Sequence, residues 1–138
     1  MNLTEDVARL LAGAQAFPLL TVDEHGHPHT ALLSRAELEP ADDRTALFAV
    51  VAGAGTQVNL RRHPYAALLA TDRTICHHLK LRLVRSLAVE NVLGCVFTAV
   101  HHKRDSLGIP LSPLGSCTTG YLAELEHWRR SADILSAL

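Results

Sequence analysis

The apolar positions of this chain change period several times, and each change marks an element. Behind Thr4, a favourable N-cap, Val7, Leu10, Leu11 and Ala14 recur at helical spacing, with Glu5 and Asp6 where a helix dipole favours acids. The spacing predicts an amphipathic helix over residues 5–15, weakened by Gly13 and stopped by Pro18. FPLLTVDEHGHPHTALLSRAEL then reads as two apolar strands, residues 17–23 and 29–37, joined around Asp23–Pro28. Gly26 can take the positive φ of a hairpin turn, and Pro28 stands where the second strand begins. Residues 39–43 read as a polar loop, and Ala46–Val51 as a buried third strand.

The stretch TALFAVVAGAGTQVNLRRHPYAALLA (residues 45–70) organises the middle of the chain. After the third strand comes a small-residue turn, Ala52–Gly55, then a short helix, Thr56–Arg62, ended by Pro64, and a fourth strand, Tyr65–Thr71. The turn carries almost no side chains and leads into a helix N-terminus, where free N–H groups and the dipole suit an anion. Equally, Gly53 and Gly55 could serve only a tight connection. A turn at residues 72–74 leads to a long fifth strand, Cys76–Glu90. There His78, Lys80 and Arg82 share one face and Leu79, Leu81 and Leu83 the other. The phase slips near Val84 and Arg85, which predicts a β-bulge. Glu90–Gly94 reads as a turn, Cys95–Lys103 as a sixth strand, and residues 104–119 as a packed irregular loop. Thr118 or Thr119 caps a final helix with Leu122, Leu125, Trp128, Ala132 and Leu135 as its buried stripe. Six antiparallel strands with little helix predict a mainly β fold, a closed or split barrel occupying residues 1–138 as one domain.

Composition narrows the function classes. Apolar residues make up 48% and charged residues 20%, which suits a globular protein and excludes disorder. A net charge of −1 supplies no drive toward nucleic acid or an anionic membrane. Three Phe, two Tyr and one Trp make no stacking platform for single strands. The longest apolar run is far short of the ~20 residues of a membrane span. The three cysteines show no CxxC spacing and the N-terminus is polar and acidic, so a reducing cytoplasm is the expected compartment.

Several histidine arrangements carry candidate chemistry. His25, His27 and His29 alternate, and with His77/His78 or His101/His102 they could assemble a metal set. Only Asp23 and Glu24 stand near them, so exposed rings at a hairpin tip are the expected state, without metal. His63, His101 or His102 could serve as an axial haem ligand, or be ordinary surface histidines. Cys76 precedes His77 and His78, but no orienting third group accompanies it, so Cys76 and Cys95 read as small strand residues. Lys80, Arg82 and Arg85 are either a solvated face or an anion site.

Three segments together resemble the pyridoxamine 5′-phosphate oxidase-like, FMN-binding split-barrel superfamily. LLTVDEHGHPHTALLS is similar to its opening hairpin, GTQVNLRRHPYAALLA to its small helix and following strand, and LKLRLVRSLAVE to its long basic strand. The resemblance implies a six-stranded split barrel, a homodimer and FMN sites at the subunit interface. It places the cofactor on His29, Thr30, Ala31 and Ser34 of the second strand, and on Val51, Gly53, Gly55, Thr56 and Gln57 around the turn. Lys80 and Arg82 of the long strand complete the set. This chain departs from the pattern where many members carry cations: His29, Ser34 and Thr56 stand in those places. Thr56, Gln57 and the turn backbone would then act as neutral phosphate donors, with Lys80, Arg82, Arg85, Arg61 and Arg62 as remaining cations. The implied activity is that of a flavin-dependent oxidoreductase on a small molecule. The alternative is a non-catalytic dimeric module that binds haem or another small ligand, or has lost flavin. Pyridoxamine phosphate is not the expected substrate, because Arg104 is the only base in the C-terminal loop.

Overall fold

A computed structural model describes residues 1–13, 15–106, 108–109 and 127–138. The first helix, α1 (Glu5–Leu11), buries Val7 and Leu11. It ends earlier than its apolar spacing predicts, because the Gly13 N–H turns back to the Leu10 carbonyl at 3.0 Å. Ala14 lies outside the described residues. Thr4 is the N-cap by position, but its hydroxyl donates to Asp6, and the Asp6 carboxylate takes the Val7 N–H at 2.9 Å. An acid thus caps the first turn.

Among the described residues seven strands come after it: β1 (Phe17–Val22), β2 (Pro28–Leu33), β3 (Leu38–Pro40), β4 (Leu47–Val51), β5 (Tyr65–Asp72), β6 (Ile75–Val89) and β7 (Val92–Ser106). They form one sheet in the order β2-β1-β5-β6-β7-β4-β3, with every pair antiparallel. The sheet curls as a split barrel over a core that includes Phe17, Leu19, Leu68, Leu79, Leu81 and Phe97. The expected fold class stands, with one correction in strand number. Residues 29–37 do not run on as one strand. Ser34 and Glu37 close a 3₁₀ turn over Arg35–Glu37, in which the Ser34 N–H donates to Glu37 Oε1 at 3.0 Å. The chain re-enters the sheet at buried Leu38, paired with Ala49, where a polar loop was expected to begin one residue later.

The β6–β7 hairpin is also tighter than its sequence suggests. Val89 pairs with Val92, so only Glu90 and Asn91 turn the chain, with Glu90 at φ 54°. Val92, Leu93 and Gly94, expected in the turn, are strand residues. The register shifts between Leu83 and Arg85, as the phase slip predicts, and again between Lys80 and Leu81. From Val92 to Phe97 β7 is buried on both faces, because the core lies on one side and the last helix on the other.

That helix, α3 (Trp128–Ala137), seats Ile134, Leu135 and Leu138 on Val50 and Val92. Ser131 is buried with them, while Ala132, expected in the stripe, is exposed. Leu122, Leu125, the Thr118/Thr119 cap, residues 110–119 and the side chain of Trp128 lie outside the described residues. Among the described residues no helix is long and apolar enough to cross a membrane. Helix and sheet meet at Gly94, where a Cβ would stand 3.1 Å from both Ile134 Cγ2 and Leu138 Cδ2. Gly94→Val therefore destabilises the protein by about 1–3 kcal/mol in urea unfolding, since the contact leaves no room for a branched side chain. An unchanged midpoint would show that α3 does not dock there.

Candidate functional site

The bare stretch after β4 is more helical than its glycines suggest. Helix α2 (Ala54–Arg62) starts two residues earlier than expected, with Gly53 as N-cap at φ −69°. Neither Gly53 nor Gly55 adopts a positive φ. What Gly55 provides is room: a Cβ there would stand 3.2 Å from His29 Cε1 and 3.4 Å from Nε2. The His29 ring, half-buried on β2, thus lies directly against the first turn of α2.

The α2 N-terminus is built around this contact. The first N–H groups of a helix have no partner within it, so those of Ala54, Gly55 and Thr56 have none inside α2 and point along the helix axis. Thr56 is 1% exposed, and its hydroxyl has no hydrogen-bond partner among the described residues. Gln57, expected to be a neutral phosphate donor, is engaged elsewhere. Its Nε2 lies 3.0 Å from the Val51 carbonyl, 3.3 Å from that of Ala52 and 2.9 Å from that of Asn91. The amide therefore staples the β4–α2 turn to the β6–β7 hairpin. Further along α2, Asn59 Nδ2 donates to Thr21 Oγ1 at 3.0 Å with both residues buried, and the Arg62 guanidinium donates to the Val22 carbonyl. These bonds hold α2 to β1.

The other residues proposed from sequence divide between the two faces of the sheet. Val51 is buried at the end of β4, and Ala31 shares the inner face of β2 with His29. Thr30 is exposed on the opposite face, and the Ser34 N–H is held by Glu37. Lys80 and Arg82 project outward from β6, alternating with buried Leu79 and Leu81. The structure therefore gathers His29, Gly53, Gly55 and Thr56 at one place and sets Lys80 and Arg82 on the outer face.

On that face Lys80 lines an apolar cleft of about 480 Å³, with Leu20, Val22, Pro28, Tyr65 and Val100. His63, just after α2, borders it with its ring 5.4 Å from that of Tyr65. Sequence reasoning did not name this cleft. Its signal was present: β1 and β5 carry apolar residues at inward and outward positions alike, which a strand facing water on one side does not need.

The hairpin histidines do not converge with those of β6 and β7. His25 and His27 are exposed in the β1–β2 turn beside Glu24 and Asp23, away from His29. His78 pairs with Asp105 at 2.9 Å on the outer face, while His77 turns inward to His102. Among the described residues no group of three or more histidine, cysteine, aspartate or glutamate side chains could hold a metal ion. Burial pushes the Cys95 thiol up to about 12, and Cys76 is raised as well, so neither is an activated nucleophile.

The sequence profile described as pyridoxamine 5′-phosphate oxidase matches residues 3–90. The chain belongs to this family. Among solved structures it is similar in fold to an F420 reductase, at 12% identity and a TM-score of 0.59, covering 73% of this chain and 98% of that one. It is similar also to HupZ of Group A Streptococcus, at 13% identity and a TM-score of 0.60, covering 80% and 100%. A third is the flavin reductase of a styrene monooxygenase from Pseudomonas putida, at 8% identity and a TM-score of 0.57, covering 80% and 93%. No curated protein matches the chain in sequence.

Because the Gln57 amide joins carbonyls of two separate loops, Gln57→Ala lowers stability by about 1 kcal/mol in denaturant titration. The same variant increases amide hydrogen exchange at both Ala52 and Asn91. If only the α2 end responded, the staple would not bridge the two loops.

Proposed function

We propose that this family member binds FMN with its phosphate at the N-terminus of α2, and serves as a flavin-dependent oxidoreductase on a small molecule. The observation that carries the reading is the buried Thr56 hydroxyl, without a hydrogen-bond partner among the described residues, in the helix turn on which the His29 ring rests. An anion there would receive the Ala54, Gly55 and Thr56 N–H groups, the Thr56 hydroxyl and a His29 N–H. The residues present fit a phosphate with neutral donors in place of the family's cations. The flavin, when bound, supplies the hydride chemistry. The chain's own part is to bind and orient: Gly55 makes room for the His29 ring against the first turn of α2, and Gln57 fixes the turn with its side-chain amide.

The apolar outer face supports a homodimer. Val22, Tyr65 and Val100 are 41%, 48% and 45% exposed and stand together around the cleft, a contiguous apolar patch of the kind that marks interaction surfaces. A second copy of the chain covering this face would bury it and enclose the cleft, with Lys80 at its edge.

The purified protein's visible spectrum tests the cofactor. Flavin bands support the reading. A Soret band instead would favour haem, for which His63 at the cleft is the candidate ligand. A colourless protein that gains no thermal stability from added FMN would sink the flavin assignment. Given flavin binding, Thr56→Val and His29→Ala each weaken FMN by about tenfold or more, as expected for a hydrogen bond to an ionised group. Unchanged affinity in both variants would move the phosphate away from α2. Val22→Arg is expected to convert the dimer to monomer in light-scattering measurements; a persisting dimer would place the interface elsewhere.

A further inference from the structure

A second buried polar feature lies apart from the proposed flavin site. His77 on β6 and His102 on β7 point into the barrel, with His77 Nδ1 2.9 Å from His102 Nε2. His77 is only 2% exposed, and His102 is half-buried. One ring N–H donates to the other ring's nitrogen, which requires that at least one imidazole be neutral. The first turn of α1 lies nearby. Asp6 binds Arg104 of β7 through both carboxylate oxygens, at 3.2 and 3.1 Å, and the Met1 ammonium donates to the Ala99 carbonyl at 3.2 Å.

We propose that the His77–His102 pair is an acid-sensitive clasp, whose protonation loosens the first turn of α1 from the end of the barrel. A first proton is accommodated only by placing an imidazolium where charge is poorly solvated; a second sets two N–H groups against each other. The acid that acts most strongly on both rings is Asp6, and Arg104 already occupies it. A charged ring must therefore take Asp6 from Arg104 or draw water into the pair, and both outcomes disturb the contact that ties α1 to β7.

The charged surroundings decide the direction. Burial holds His77 below the ordinary histidine value of 6.5; Asp6 of α1 and Asp72 of β5 oppose the shift, while Arg104 of β7 and His78 of β6 reinforce it. His102 is lowered in the same way, by burial first and then by Arg104, His77 and His101, against Asp6. A base whose folded value lies below its unfolded one contributes stability fully present above about 6.5. That contribution is lost as pH falls from there to the lowered folded values.

Hydrogen exchange read by mass spectrometry tests the clasp, with rates corrected for the intrinsic effect of pH. Between about pH 7.5 and 5.5, opening of residues 2–11 and of the β6 and β7 ends around His77 and His102 should rise, by up to about tenfold for each pH unit below 6.5. Strands β1 and β4 should hold their protection. His102→Gln, which keeps a side-chain N–H donor, should remain folded near neutral pH and lose this acid response. His77→Asn serves the same purpose if that variant does not fold. The clasp is overturned if residues 2–11 exchange alike across the range, if the whole sheet opens in step, or if the folded variant keeps the wild-type profile. It is overturned too if imidazole NMR titration of the wild-type protein places His77 at the ordinary value.

Discussion

The structure depends on the β6–β7 ladder. Each strand is 15 residues long, and the pairing runs from Ile75–Ser106 to Val89–Val92. One end of the pair recruits β5 and through it β1 and β2; the other recruits β4 and β3. A sheet of this length cannot stay flat, because adjacent strands rotate by roughly 20–25°. The register shifts near Lys80 and Leu83 add local bend where the ladder passes from one neighbour to the other. Curling encloses the inward leucines and Phe97, and helix α2 is tied across β1 by Asn59, Arg62 and its own apolar face. Both buried polar features, the α2 N-terminus and the histidine pair, occupy places where that curled sheet meets a helix.

Much of the fold was legible because strong local patterns agreed with the tertiary arrangement. The β1–β2 hairpin follows from Asp23 and Gly26: the aspartate accepts the His25 and His27 N–H groups and the glycine takes φ 79°. The slip at Val84 marked a real bulge. The failures have physical causes as well. Glu39 and Pro40 read as loop because a strand of three residues carries too short a pattern to outweigh the proline and acids beside it. Val92–Gly94 looked like turn because Gly94 suggests a break, whereas the glycine serves the close approach of α3. The Ala132 misplacement is a phase error: Ile134, not Ala132, shares the buried face with Leu135.

The site was less legible than the fold, and for a different reason. Sequence shows which donors exist, but not which are already in use. Gln57 reads as a ligand donor until three carbonyls are found around its amide. Lys80 and Arg82 alternate with the leucines in the sequence already, but only the folded sheet shows that their face is the outer one. His29 and Gly55 are 26 positions apart, and nothing in either local pattern says that the ring rests on the glycine. Thr56 shows the opposite case: its place in a position of cations looked like a loss, yet its buried hydroxyl has no hydrogen-bond partner among the described residues.

That exchange of cations for neutral donors changes how an anion would be held. A lysine or arginine attracts phosphate from a distance, but must be ordered against up to ~2 kcal/mol of rotamer entropy, and salt screens its long-range pull. Backbone N–H groups at a helix start are ordered by folding itself, and Thr56 is immobilised by burial, so little freedom remains to be lost on binding. A site of this kind gives up steering and range and keeps directional hydrogen bonds. Its affinity then rests on the placement of α2 rather than on local charge. That placement depends on the Gln57 staple, the Asn59–Thr21 bond and the absence of a Cβ at Gly55. In this chain the residues that hold the helix would therefore matter to an anion bound there as much as the atoms that would touch it.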